Sequence, residues 1–233
     1  MLTLLTFPSG LGVSAYSPFA VKSEVLLVMS GIQYTKEFPM VTKMPRSKIP
    51  VLKDGERLIP DTAHIQTYLE QEQGVDFDSH LSAEQLATAT AFRGMMENHL
   101  YFINAYFRWI DHPKAVHDTY FVEVPKLLRG LIFKAALKQV HKTLHLQGLG
   151  RHSRDELIAF GRKDVQALAD QLGDKPYFLG DQPSSIDAMV YGTLTNMVDC
   201  ELDTPTKRDC LKHENLLAYL ANFKATVLTG KAI

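Results

Sequence analysis

The sequence predicts an α+β chain in which a small mixed-sheet N-terminal domain, residues 1–76, precedes an all-α helical-bundle domain, residues 82–233. Two observations lead there. The first 75 residues alternate short strand-like apolar runs with helical ones, and almost everything after Ser82 has helical periodicity without a clear strand. Helix starts with capping-box spacing then recur in the second part: Ser82 with Gln85, Ser153 with Glu156 and Ser184 with Asp187.

The elements follow in order. Residues 2–7 are an apolar run ended by Pro8, a buried strand, and a Gly-bearing loop occupies 9–16. Ser17-Pro18 opens a helix with serine as cap and proline at the first helical position; Val21, Val25, Val28 and Met29 recur on one face, and Gly31 stops it. Residues 34–38 form a second strand, and 40–48 are too rich in proline and lysine for more than a loop. Two short strands, 51–53 and 57–59, are joined by Asp54-Gly55, a strong hairpin signal. Asp61 then caps a helix that runs to about Glu72, before Gly74. A parallel crossover feeding an antiparallel hairpin in this order suggests a thioredoxin-like domain. Beyond it, helices are expected over 82–111, 118–145, 153–172, 185–199 and 214–228.

Composition sets limits on function. With 45% apolar and 22% charged residues the chain is not disordered, and 25 Lys+Arg against 26 Asp+Glu give a formal charge of -1. No global electrostatic attraction to nucleic acid or to a membrane surface follows, so neither is an expected partner and any partner must be recognised locally. No apolar run approaches the roughly 20 residues that cross a bilayer. No basic residue precedes Lys22, and Pro8 and Gly10 interrupt the start, so a signal peptide is not expected and a cytoplasmic location is the default. Cys200 and Cys210 form no CxxC pair, and they read as reduced bystanders.

Four short motifs, in this order, resemble the cytosolic glutathione transferases: Ser17-Pro18-Phe19-Ala20, Ile49-Pro50-Val51, Asp61-Thr62, and Ser184-Ser185-Ile186-Asp187. The resemblance implies glutathione as co-substrate, a small hydrophobic electrophile, a homodimer and a detoxifying transferase reaction. It makes Ser17-Pro18-Phe19-Ala20 the active-site turn, with Ser17 catalytic and Phe19 beside the cofactor. It makes Ile49-Pro50 the segment that pairs with glutathione, and Asp61-Thr62 the pair that holds its γ-glutamyl end. The loop before Ser-Pro-Phe, residues 22–31, 101–109 and 178–187 also resemble the metaxin-like and failed-axon-connections-like branch. Phe7 stands near where tyrosine-type members carry their hydroxyl, and residue 17 is not cysteine, so neither of those chemistries is implied.

The chemistry such a site needs is modest. A thiol of pKa about 8.5 is only about 3% ionised at pH 7, and lowering it by about two units takes about 2.7 kcal/mol. A hydroxyl hydrogen bond to the thiolate, about 1.5–3 kcal/mol, together with a helix-dipole contribution of about 0.3–1 kcal/mol, suffices. Ionisation raises thiolate concentration at most about 30-fold, so proximity must supply the rest. Ser before Pro is equally a good helix start, and capping alone explains Asp61. The isomer at Pro50 is invisible in sequence, and position alone reads as trans; a cis bond would present the Ile49 backbone to a peptide-like ligand. Lys48, or less directly Arg46 or Lys36, is placed to meet the glycyl carboxylate. Phe102, Tyr106 and Trp109 have spacing that fits one face of the first long helix, either as the electrophile pocket or as core. Met95, Met96 and His99 fit core or a partner subunit.

Other chemistries find little support. His141 and His145 have i, i+4 spacing but no third ligand is implied, and a solvated helix face explains them, so no metal is expected. No GxSxG, GxGxxG or Walker pattern is present. The alternative to an enzyme is a transferase-fold binding or scaffold protein that uses the same groove for a peptide or hydrophobic ligand. The final segment, with Lys224 and Lys231 and no long apolar tail, argues against membrane-anchored import machinery.

Overall fold

A computed structural model describes residues 1–229; Lys231 lies outside them. Four strands, β1 (Leu2–Leu5), β2 (Tyr34–Glu37), β3 (Val51–Asp54) and β4 (Arg57–Pro60), form one sheet in the order β2-β1-β3-β4. β1 and β2 are parallel and joined through α1 (Pro18–Ser30), while β3 runs antiparallel to both β1 and β4. The predicted strands are all present, β1 ending at Leu5 rather than Phe7. α2 (Thr62–Gln71) follows β4, and the predicted 40–48 loop contains two single 3-10 turns.

The expected helix over 82–111 is one rod with two widened turns. α3 (Ala83–Met95) and α4 (Tyr101–Tyr106) are separated by a π turn at Met96–Leu100, and a second π turn at Phe107–Asp111 ends the rod. The helix expected over 118–145 is instead two: α5 (Pro113–Tyr120) and α6 (Lys126–Gln147). Pro125, which lacks an N–H and disfavours helix at Val124, breaks them. α7 (Arg154–Leu172), α8 (Ser185–Val198) and α10 (Glu214–Thr226) match expectation. α9 (Pro205–Cys210) was not expected; the Thr204 hydroxyl accepts the Lys207 N–H at 3.2 Å, and Pro205 fills its first position.

α8 is buried from Ser185 to Met197 and forms the floor on which the N-terminal domain rests. Its start is fixed by Asp187, whose carboxylate accepts from the Ser184 N–H and hydroxyl, both at 2.9 Å, from the Phe178 N–H at 2.8 Å and from the Tyr219 hydroxyl at 3.0 Å. Asp78, in the segment before α3, accepts from the Ser185 N–H at 2.8 Å and hydroxyl at 2.6 Å. Against this helix lies α1. The sequence suggests one apolar face for α1, but Lys22, Ser23 and Glu24 are buried as well as Val21, Val25 and Val28. Gly192 makes the approach possible, because a Cβ there would stand 2.6 Å from the Pro18 carbonyl oxygen.

Lys22 is 1% exposed, and its ammonium donates to the Thr62 hydroxyl at 3.0 Å and to Glu97 Oε1 at 2.8 Å. It therefore ties α1 to the head of α2 and to the first π turn. Burial lowers its pKa from the ordinary lysine value, and the Glu97 carboxylate opposes that shift.

Two outcomes follow from this packing. Glu97→Gln leaves the Lys22 cation buried without its carboxylate and lowers stability by about 3 kcal/mol, the lower end for halving a buried pair because Glu97 is partly exposed. Gly192→Ala forces α1 away from α8 and costs about 1–3 kcal/mol. Urea denaturation measures both as a lowered midpoint at unchanged slope.

Candidate functional site

Strand register brings the predicted recognition segments to one edge of the sheet. Leu5 pairs with Val51, and Val51 pairs with Pro60, so these three residues form a row across β1, β3 and β4. From Leu5 the chain leaves toward Ser17; Val51 is preceded by Ile49-Pro50; Pro60 is followed by Asp61-Thr62. Two strand spacings are about 10 Å, the length of an extended tripeptide. The Ile49-Pro50 bond is cis, which corrects the trans reading from position alone; tertiary context selects the isomer.

Ser17 is partly exposed at the head of α1 with the extended backbone of an N-cap residue, yet its hydroxyl makes no capping hydrogen bond. Its carbonyl accepts from the Ala20 and Val21 N–H groups at 3.0 and 3.2 Å, and Pro18 has no N–H. An anion arriving at this end of α1 meets the Ser17 hydroxyl and the Phe19 N–H in the positive field of the helix terminus.

Asp61 caps α2 by accepting the Ala63 N–H at 3.0 Å, and it does so at φ 82°, a conformation unusual for a residue with a Cβ. Thr62 is buried. Because Lys22 donates to its oxygen, the Thr62 hydroxyl hydrogen is directed away from Lys22 and is available to a carboxylate acceptor.

Behind the Ser17 turn sits a residue that sequence reasoning missed. Arg108 is 6% exposed and donates to the Tyr16 carbonyl at 2.7 Å, the Tyr120 hydroxyl at 3.0 Å and the Asn196 carbonyl at 2.8 Å. Those partners are neutral, and among the described residues no carboxylate pairs with it. The peptide it grips is the one that leads into Ser17. The only hint in the sequence is a guanidinium set between Phe107 and Trp109 in an apolar stretch. Tyr16 stacks on Tyr120 with ring centroids 4.0 Å apart. Burial pushes the Tyr120 hydroxyl up to about 12 and also raises Tyr16, so both phenols stay protonated near neutrality. Tyr16 points its hydroxyl at the Thr119 carbonyl, at 3.4 Å, which leaves Ser17 as the uncommitted hydroxyl of this turn.

The remaining predicted residues divide. Phe19 meets Tyr101 edge-on at 4.9 Å, across the domain boundary. Lys48 and Arg46 are exposed beside the cis bond, whereas Lys36 is paired with Glu24 at 2.7 Å and is not available to a glycyl carboxylate. Phe102 and Tyr106 pack on a small helical-domain cluster of Ile103, Phe107, Leu149 and Leu157. Trp109 meets Tyr120 and Phe121 edge-on. Trp109 thus packs on different partners from Phe102 and Tyr106. The π turn at Phe107–Asp111 closes i→i+5 bonds and adds a residue, so the spacing of an ideal α-helix does not carry through it. Met96 is core, and His99 Nδ1 lies 2.6 Å from Asp164 Oδ2. His141 and His145 are exposed on α6.

Comparison with known proteins gives a consistent assignment. Residues 18–114 match the model of the glutathione S-transferase N-terminal domain, and residues 161–223 match that of the C-terminal domain. Isoprene-epoxide–glutathione S-transferase of Rhodococcus sp. (strain AD45) is 33% identical over 215 residues, 85% of this chain and 87% of its own. Failed axon connections of Drosophila melanogaster is 29% identical over 78% of this chain, which spans 46% of that longer protein. Human metaxin-2 is 25% identical over 75% of this chain and 68% of its own length. Among solved structures, beta-etherase LigF of Sphingobium sp. strain SYK-6 superposes with a TM-score of 0.67 at 15% identity, covering 96% of this chain and 95% of its own. A Pseudomonas fluorescens glutathione transferase family member with two glutathione bound gives 0.61 at 13%, covering 96% and 88%. At those identities the structures attest the fold, while the domain models and the Rhodococcus relative attest descent: the chain belongs to the glutathione S-transferase family.

Proposed function

We propose that the protein binds reduced glutathione along the Leu5, Val51 and Pro60 edge and conjugates it through its sulfur to a small hydrophobic electrophile, or reduces that electrophile while two glutathione molecules are oxidised to the disulfide. In this reading the Ile49 backbone pairs with the cysteinyl unit, Asp61 faces the γ-glutamyl amine, and the Thr62 hydroxyl faces the γ-glutamyl carboxylate. Lys48 is the cation placed for the glycyl carboxylate. The Ser17 hydroxyl donates to the sulfur after its proton has left to solvent, and the Phe19 N–H adds a second donor. The thiolate then attacks an electrophilic carbon: a C–S bond forms, the bond to the leaving oxygen or other leaving group breaks, and the released anion takes a proton from water. An epoxide is the first substrate class to try, because the Rhodococcus relative is named for one. The observation that carries the reading is the Ser17 hydroxyl, which makes no capping hydrogen bond at the head of α1, on the chain that leaves β1 at the end of the sheet where Leu5, Val51 and Pro60 align.

A second reading, a non-catalytic transferase-fold binding or scaffold protein, draws on a different observation. The Asp61 carboxylate and the Thr62 oxygen are already engaged within the chain, by the Ala63 N–H and by Lys22. The sequence likeness to Failed axon connections and metaxin-2 points the same way.

Titration calorimetry with reduced glutathione separates the two: a Kd between micromolar and low millimolar is expected, and no heat up to about 10 mM selects the binding protein. Ser17→Ala is expected to keep glutathione binding while losing the near-ultraviolet thiolate absorbance of the complex. Its turnover falls by up to about 30-fold at pH 7, and the deficit shrinks as pH rises past about 8.5, where glutathione ionises unaided. Equal turnover of variant and parent at pH 7 removes Ser17 from the mechanism.

A further inference from the structure

No acidic residue occurs between Glu123 and Asp155; all 26 lie elsewhere, so the near-zero net charge hides a strongly one-sided segment. Most of that segment is α6, whose 22 residues carry Lys126, Arg129, Lys134, Lys138 and Lys142, with His141 and His145. Among the described residues α6 has one buried side chain, Leu144. Its inward face rests on the protein through Leu144 and through Phe133, which meets His117 and Phe121 edge-on. Its outward face begins apolar: Leu127 is 99% and Leu131 70% exposed, flanked by Leu128, Ile132 and Val122. Lys134, Lys138 and Lys142 continue the same row at helical spacing. A leucine-tipped ridge thus leads into a stripe of exposed lysines.

We infer that this face of α6 docks the protein onto an anionic lipid surface. Three features select that occupant. The apolar residues stand exposed along one helix, Leu127 almost completely, and so are free to enter the boundary between headgroups and acyl chains. The adjoining cations are lysines on flexible stems, long enough to reach lipid phosphates beside the leucines. Nucleic acid would reward the lysines and not the leucines. No helix of the described residues is long and apolar enough to cross a membrane, so the contact is one of lying on the surface. It is independent of the glutathione reading, since it uses none of the residues of that site.

The test is sedimentation of the whole protein with vesicles of phosphatidylcholine alone and of phosphatidylcholine with one-third phosphatidylglycerol. Retention on the anionic vesicles is expected, absent from the neutral ones and falling as salt rises. Leu127→Glu/Leu131→Glu and, separately, Lys134→Glu/Lys138→Glu/Lys142→Glu are each expected to reduce retention at least tenfold. All five positions are exposed, so thermal melting should match the parent. Equal or absent retention on the two vesicle types overturns the inference. Retention lost in the lysine variant and kept in the leucine variant overturns it too, in favour of an acidic polypeptide or other non-inserting anion. A solution mass that falls by half in the leucine variant assigns the face to a second copy of the chain instead.

Discussion

The backbone contact between α1 and α8 is the constraint on which the placement of Ser17 at the head of α1 depends. Gly192 lets the first turn of α1 come close enough for the Pro18 carbonyl to touch α8, and four residues further on Asn196 receives Arg108, which grips the peptide before Ser17. One buried helix of the second domain therefore positions the hydroxyl of the first domain from two directions. α8 can serve as a reference because its own start is over-determined by the four donors converging on Asp187.

Two buried cations flank the head of α1, and they are handled differently. Lys22 is neutralised by Glu97 and is linked through Thr62 to the proposed γ-glutamyl end. Arg108 is satisfied by a carbonyl, a phenol and an amide, so its charge is dispersed over dipoles rather than cancelled by an acid. The guanidinium holds the carbonyl of Tyr16, so its hydrogen bond acts on the peptide immediately before the α1 terminus. The two tyrosines beside it stay neutral, because burial keeps their protons in place.

What the sequence made legible is what local chemistry dictates. Apolar runs ended by Pro8 or joined by Asp54-Gly55 became strands, and Ser82, Ser153 and Ser184 opened helices where side-chain oxygens meet N–H groups. The order of elements was enough to place Ser17, Ile49-Pro50 and Asp61-Thr62 within a known architecture. Features decided at long range were not readable. The cis bond at Pro50, the pairing of Lys22 with Glu97 and the burial of Arg108 depend on partners between 75 and 92 positions away, or on packing with no local mark. The π turn that contains Trp109 has no mark in the sequence, so the periodicity that groups Phe102, Tyr106 and Trp109 was read across a turn that does not keep it.

The widened turn at Met96–Leu100 has a consequence for how this fold diverges. An extra residue in one helical turn rotates everything beyond it by about 100° about the axis while leaving residue types untouched. Glu97 lies inside that turn and Tyr101, the neighbour of Phe19, lies directly after it. Loss of one codon there would swing the carboxylate off the buried ammonium and turn Tyr101 away from Phe19 in a single event. Helix length, counted in residues, thus sets which side chains meet the N-terminal domain, and an insertion or deletion at this turn can change that contact where point changes would leave it standing.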